Sequence, residues 1–491
     1  MMKTLLTLNE LTGAVKGKVI SKNNECCFTS VQTDSRLVEK DTLFVPLIGE
    51  FQDGHKYIPQ AVEKGASVVF VNNNSFAAEP SVYENMCSKY PCTSFIVVEN
   101  TLHALQDAAQ AYVDKVASKM IRISITGSSG KTTTKEMMVS VCKAHFGNDF
   151  VAYTKGNFNS ETGLPLSVFR IRGDEKVGIF EMGMNRENEI GEISAVLKSK
   201  YGIITNIGNA HIGILGSREN IAKEKRKSFD YIPSDGAVCV PVLDDFADYC
   251  TENVKGKIIK YGKSVSESVS GVKFIEDLGL NGTKFSVDGT EIVLPLSGEY
   301  NYSNALGVIA IAKEIGVSAE EIKLGLENMS AVNGRMESSE ITLLNNKKAT
   351  LIADCYNANP DSMEKVLLFC GSLNNKGRKI LVLGDMKELG QKAAEAHQKI
   401  ADLICQIKAD FVILAGSEMK VCEKRLSDYA SKGLCSSIVK YFENNDEDFY
   451  KKSAEQILEF VQNGDLILLK ASHSMALEKI IPLIKKEEVN A

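Results

Sequence analysis

Apolar residues along this chain fall into two rhythms that alternate repeatedly. Short β-branched runs such as "MIRISIT" have strand length, whereas "KTTTKEMMVSVCKAHF" carries its apolar positions at helical spacing. Up to about Lys119, predicted strands at "TLFVPLIG", "ASVVFVN" and "SFIVVEN" precede an Ala-rich helical stretch, "TLHALQDAAQAYVDKVA". The middle of the chain repeats the alternation at "KVGIFEMG" and "YGIITNIG". It then turns β-rich and glycine-punctuated from about Lys257 to Gly298, with helices around residues 302–329. From Gly334 the strand candidates "ATLIADCYN", "KILVLGDM", "DFVILAGS", "SIVKYFE" and "DLILLKAS" are separated by helical segments. This implies a doubly wound open sheet whose ligands gather outside the carboxyl ends of its strands.

The fold class is therefore α/β, and changes of rhythm divide the 491 residues into three domains. Residues 1–119 form a small α/β module, 120–333 a parallel-sheet P-loop domain, and 334–491 a Rossmann-like domain. No internal repeat, low-complexity tract or proline-rich linker interrupts them. A net charge of −6 argues against a generally nucleic-acid-binding surface, although an anionic substrate needs only a local positive pocket. The twelve cysteines are scattered, with no C-x-x-C pair, which suits reduced thiols better than disulfides or a zinc cluster. No run reaches membrane-spanning length and "MMKTLLTLNELTGAVKGK" is too weakly apolar for a signal peptide, so a cytoplasmic protein, taken as a monomer, is expected.

Between the strand "MIRISIT" and the helix that follows lies "ITGSSGKTTTKE", a shortened phosphate loop in which Ile125 stands where G-x-x-x-x-G-K-[ST] has its first glycine. Thr126, Gly127, Ser128, Ser129 and Gly130 would offer backbone N–H groups to an anion at the helix N-terminus, with Lys131, Thr132 and Thr133 reaching the phosphates. Glu181 closes the strand "KVGIFEMG", where it is equally a Mg²⁺ carboxylate or a solvated strand-end acid. His211 follows "IITNIGNA", and a lone histidine there is as readily structural as functional. "IAKEKRKSF", with Lys225, has the composition of a solvated basic helix face. "DCYNANPDSM" sets Asp354, Tyr356, Asn357 and Asn359 in a turn that opens a helix, and "LVLGDMKELG" places Asp385 and Glu388 at the same sheet edge.

"TGSSGKTTTKE", "EMGMN", "TNIGNAHIGILGSRENIAKEK", "GEYNYSNAL", "GRME", "DCYNANPDSM" and "LGDMKELG", in this order, resemble the Mur ligases, whose phosphate loop is characteristically short. The likeness covers nearly the whole chain, and the last two motifs point to ligation of D-alanyl-D-alanine onto UDP-N-acetylmuramoyl-tripeptide. The resemblance implies an ADP-forming reaction through an acyl phosphate, in peptidoglycan precursor synthesis. It implies Lys131 on the β/γ-phosphates of ATP, Thr132 and Glu181 on one Mg²⁺, and His211 with a carbamylated Lys225 on a second. It further implies Asn304 and Arg335 on the nucleotide, and Asp354, Tyr356, Asn357 and Asn359 beside ATP and the dipeptide. "TDSRLVEKDTLFVPLIGEFQDGHKYIPQA" matches the family's uridine-nucleotide domain and implies Ser35, Arg36, Asp53, Gly54 and His55, with Asn157 and Asn159, on the UDP-sugar peptide. The alternatives are a sister ligase adding one amino acid, and a non-catalytic nucleotide-dependent binding protein. Ser160, Asn188, Ala353 and His473 depart from the family's usual residues.

Overall fold

The computed structural model describes residues 4–21, 27–262, 269–330, 334–374, 377–444 and 446–486; the predicted junction of the second and third segments, 331–333, lies outside them. In the first segment, strands Lys18–Ser21, Ser94–Val98, Ala66–Asn72, Thr42–Phe44 and Ser30–Gln32 form one sheet in that order, parallel except at the Lys18–Ser21 edge. The central sheet runs Lys257–Tyr261, Ala237–Pro241, Tyr201–Ile204, Ile121–Thr126, Val177–Glu181, Val151–Tyr153, all parallel. The last sheet runs Glu337–Thr342, Lys348–Asp354, Asp465–Lys470, Lys379–Gly384, Phe411–Ala415, Ile438–Phe442, with only the first pair antiparallel.

Strand alternation assigns each side chain to a layer. In Lys379–Gly384, Leu381 and Leu383 pack with Met363, Ile400 and Cys422 of helices Pro360–Ser372, Ala393–Gln406 and Lys420–Ser431. Ile380 and Val382 face the opposite layer with Phe449 and Ile457 of helix Glu447–Phe460. Each such fully buried side chain contributes about 1.5–3 kcal/mol of apolar transfer. In the central sheet Ile123 and Ile125 join Met137 and Val141 of helix Lys131–Phe146, while Phe180 and Met182 join Ile190 and Ile193 of helix Glu189–Leu197. Helix Thr101–Val116, read in the sequence as the end of the first segment, shares that second core through Leu105 and Ala109 and packs on Glu189–Leu197. It thereby ties the first two sheets together.

Two expectations change. The β-rich stretch from Lys257 divides: its first strand becomes the edge of the central sheet, while Val272–Asp277, Thr283–Val287 and Thr290–Leu294 form a separate antiparallel sheet. Phe285 of that sheet packs 5.2 Å from the Tyr302 ring. The last sheet gains a sixth strand, Glu337–Thr342, whose half-exposed "ESSEIT" offers a single apolar residue, the buried Ile341, and which pairs only at an edge. Among the described residues, no helix is long and apolar enough to cross a membrane.

Candidate active site

The phosphate loop joins strand Ile121–Thr126 to helix Lys131–Phe146 and is held from behind. Thr126 is buried, its hydroxyl donating to the Met182 carbonyl at 2.9 Å. Gly127, at φ +152°, has no room for a Cβ, which would run into the Thr205 hydroxyl. The Ser129 N–H donates to Asn206 Oδ1 at 2.8 Å, and the Gly208 N–H donates to the Ser128 hydroxyl at 2.9 Å. Gly130 turns the chain into the helix at φ +81°, where a Cβ would lie 2.8 Å from Asn304 Nδ2. Its close approach to Asn304 and its left-handed conformation both require glycine.

Ser128 to Thr133 line a cavity of about 1160 Å³ that also receives Asn157, Asn159, Glu181, His211, Asn304, Arg335, Asp354, Tyr356, Asn357 and Asn359. Side chains far apart in sequence meet there because the strand ends of the central and last sheets face each other. Lys131 folds back so that its ammonium donates to the Gly127 carbonyl at 2.8 Å, and burial lowers its pKa. Glu181 is 2% exposed; Oε1 accepts from Asn159 Nδ2 at 2.7 Å, while Oε2 is buried with no partner among the described residues. A buried carboxylate oxygen left unpaired beside a phosphate loop matches what a hard cation takes.

His211 sits at φ +65° and its Nδ1 lies 2.8 Å from Glu388 Oε2, without the alignment of a formed hydrogen bond. Burial holds its imidazole below the usual pKa, while the His211 contact holds Glu388 below the usual carboxylate range. Lys225, in helix Arg218–Arg226, lies outside the cavity lining but is 1% exposed, with no carboxylate within ion-pairing distance among the described residues. Burial first, and the nearby Lys131 charge second, push its pKa well below the ordinary lysine value. The solvated basic face expected for this helix is thus broken at one position, because the helix turns Ile221, Ala222 and Lys225 inward.

The third segment closes the cavity. Asn359 caps helix Pro360–Ser372 by accepting from the Ser362 N–H at 2.9 Å, and its Nδ2 donates to the Ser129 hydroxyl at 3.1 Å. Asp361 accepts from both the N–H and the side chain of Asn209, at 2.6 and 3.1 Å. Arg335 stacks 4.1 Å over the Tyr356 ring, its Nε buried without a partner among the described residues. Asp354 accepts from Lys470, and Asn357 Oδ1 accepts from the Ala358 N–H. Lys470 is buried and lines the cavity. The exposed His473 ring lies tilted against Tyr356, 5.6 Å between ring centres.

The remaining predicted residues are not brought to this cavity. Ser35 is buried and donates to Gln60 Oε1 at 2.7 Å, and exposed Arg36 forks onto Asp34. Asp53 and His55 share a 2.6 Å contact through Nδ1 while His55 Nε2 accepts from the Asn72 N–H, and Gly54 lies where a Cβ would meet Leu47 backbone at 2.8 Å. Of the departures, Asn188 adopts φ +65°, a conformation asparagine tolerates in place of glycine, and Ser160 accepts from the Gly163 N–H at 3.1 Å. Ala353 is buried in its strand; nothing in the structure explains its choice over an acid. Sequence reasoning missed Thr205 and Asn206, which brace the loop; the signal was present in "TNIGNA" at a strand end.

A short phosphate loop, an unpaired buried carboxylate and a third domain closing over both define a nucleotide-dependent enzyme of the P-loop α/β type. Family models agree in detail: the Mur ligase family catalytic domain over 28–113, the Mur ligase middle domain over 125–312, and the Mur ligase glutamate ligase domain over 334–473. The chain belongs to the Mur ligase family. It is 37% identical over 98% of its length to the whole UDP-N-acetylmuramoyl-tripeptide--D-alanyl-D-alanine ligase of Treponema pallidum. To the Bacillus subtilis enzyme of that name it is 32% identical over 97% of each chain. The crystal structure of MurF from Acinetobacter baumannii superposes with a TM-score of 0.82, at 25% identity and 98% coverage of both chains.

Proposed function

We propose that this protein is the ATP-dependent ligase that joins D-alanyl-D-alanine to UDP-N-acetylmuramoyl-tripeptide, releasing ADP and phosphate during peptidoglycan precursor synthesis. The observation that carries the reading is the single cavity in which the phosphate loop, the Asn157–Asn159 loop and the "DCYNANPDSM" loop meet. The cytoplasm is the compartment, in keeping with the free buried thiols of Cys142, Cys239, Cys250, Cys355, Cys370 and Cys422.

The reaction asks a carboxylate to approach a triphosphate, so catalysis rests on position and cationic charge. The tripeptide carboxylate attacks the γ-phosphorus and ADP leaves; the dipeptide amine then attacks the acyl phosphate carbonyl and phosphate leaves. Lys131 exchanges the Gly127 carbonyl for β/γ-phosphate oxygens, and Arg335 extends its fork from the Tyr356 face toward the same charge. Thr132 with Glu181 would hold one Mg²⁺, and His211 with Lys225 a second, neutralising phosphate charge. A carbamate on Lys225 would give this position an anionic oxygen ligand for the cation, and a neutral amine is the form that reacts with CO₂. Asn304 contacts the nucleotide, and Asp354, Tyr356, Asn357 and Asn359 shape the dipeptide side.

The three domains divide the labour at 1–119, 120–333 and 334–491, taking the UDP-sugar, ATP and dipeptide respectively. Arg36 and the loop of Asn157 and Asn159 contact the first substrate, while Ser35, Asp53, Gly54 and His55 shape its domain.

The test is phosphate release with ATP and Mg²⁺, adding UDP-N-acetylmuramoyl-tripeptide and D-alanyl-D-alanine separately and together, with mass spectrometry of the product. Release requiring both, with a product equal to their condensation minus water, supports the reading. Stimulation by a shorter muramoyl peptide and a single amino acid instead would reassign the protein to a sister ligase.

A further inference from the structure

The loop "GDMKELG" crosses from the last sheet to the central domain at one point. There Glu388 Oε2 lies 2.8 Å from His211 Nδ1, the Glu388 carbonyl accepts the Gly213 N–H at 3.0 Å, and a Cβ on Gly213 would lie 2.6 Å from that carbonyl. Glu388 and His211 are both non-glycine residues at φ +65°. Left-handed backbone at a glutamate is disfavoured where glycine or asparagine would fit, so its persistence here points to a demand for the side chain.

We propose that Glu388 is a positioning residue that acts through His211: docking of the third domain delivers its carboxylate to Nδ1, which fixes the ring orientation and leaves Nε2 for the nucleotide's metal. This rests on the reading above that His211 serves that metal. The chemistry is that of a carboxylate orienting a histidine ligand, where loss of the outer partner costs about 10–100-fold in metal affinity or activity. The two atoms are close but not aligned as a hydrogen bond, and contacts of this kind tighten when a substrate complex forms. Gly213 gives the loop a second, backbone anchor, so the side chain can be changed without undocking it. Third-domain closure and metal-site assembly become a single event, which restrains ATP hydrolysis before the dipeptide domain is in place.

The experiment is a double-mutant cycle on the full chain with Glu388→Gln, Glu388→Ala, His211→Ala and the combinations. Its readouts are kcat, KM for ATP, and the Mg²⁺ dependence of ADP binding by calorimetry. The expected result is a fall of about 10–100-fold in kcat for Glu388→Gln, a matching rise in the Mg²⁺ needed for ADP binding, and no further loss in the His211→Ala background. Glu388→Gln with native Mg²⁺ dependence, or losses that multiply with those of His211→Ala, would overturn the proposal while leaving the ligase reading intact. If His211→Ala and His211→Asn both keep native Mg²⁺ dependence, the reading of His211 fails and this proposal with it. Glu388→Ala, melted alongside wild type, separates lost positioning from lost folding.

Discussion

Lys225→Met separates what a side chain does for turnover from what it does for stability, because the two should move in opposite directions. The wild-type lysine is 1% exposed, has no carboxylate within ion-pairing distance among the described residues, and lies in the field of Lys131. Methionine has nearly the same length without the desolvation penalty of an amine. In CO₂-free buffer without Mg²⁺ or nucleotide, the variant should therefore be the more stable protein by about 1–3 kcal/mol, the scale of burying a polar group without a hydrogen bond. The pH dependence has a definite sign. The folded-state pKa of Lys225 is depressed, so the unfolded chain binds the extra proton and wild-type stability rises with pH toward the ordinary lysine value, by at most about 1.4 kcal/mol per pH unit. The variant lacks this slope, and its advantage should shrink as pH rises. Turnover should meanwhile fall by about 100-fold or more, the scale for removing one preorganised electrostatic group, and bicarbonate should not restore it. Denaturation of the central domain followed at pH 7, 8 and 9, with coupled phosphate-release kinetics, measures both. Retained turnover would remove Lys225 from the site, and a variant less stable than wild type in CO₂-free buffer would refute the desolvation argument.

Gly130→Ala places a Cβ 2.8 Å from Asn304 Nδ2 at φ +81°, and the backbone term alone costs about 1–2 kcal/mol, so ADP affinity by calorimetry should drop about 10-fold with the fold intact. Asn359→Ala removes both the helix cap and the Ser129 contact; about 1 kcal/mol of stability should go, together with a rise in KM for ATP measured by initial rates. Arg335→Lys keeps the charge but loses the planar stack on Tyr356, and kcat/KM for ATP should fall about 10-fold. Arg36→Ala, on an exposed side chain, should leave the melting temperature unchanged and raise only KM for the UDP-sugar peptide.

Local signals carried the phosphate loop, because its glycines, lysine and hydroxyls are contiguous and the flanking strand and helix announce themselves by period. The same holds for the parallel strands of the last sheet, whose buried runs such as "KILVLG" are apolar along their whole length. Edge strands such as Glu337–Thr342 are silent in sequence because half-exposed polar residues lack a periodic signature. Strand-end position beside the phosphate loop raised Glu181 and His211 as metal candidates, whereas Lys225 read as part of a solvated basic face until the resemblance to the Mur ligases singled it out.

By itself, then, the sequence determined the α/β class, the three-segment order and the phosphate loop, all consequences of patterns that span a few turns or strands. Only the tertiary structure decided which polar residues share a cavity, since Asn359 reaches Ser129 and Glu388 reaches His211 across 230 and 177 residues of chain. It also decided that Lys225 is buried beside Glu224 while Lys223 stays in solvent, and that His55 is engaged inside its own domain instead of opening to the cavity. Such pairings depend on how sheets and helices dock. Docking is set by summed apolar burial over whole layers, a quantity no short stretch of residues encodes.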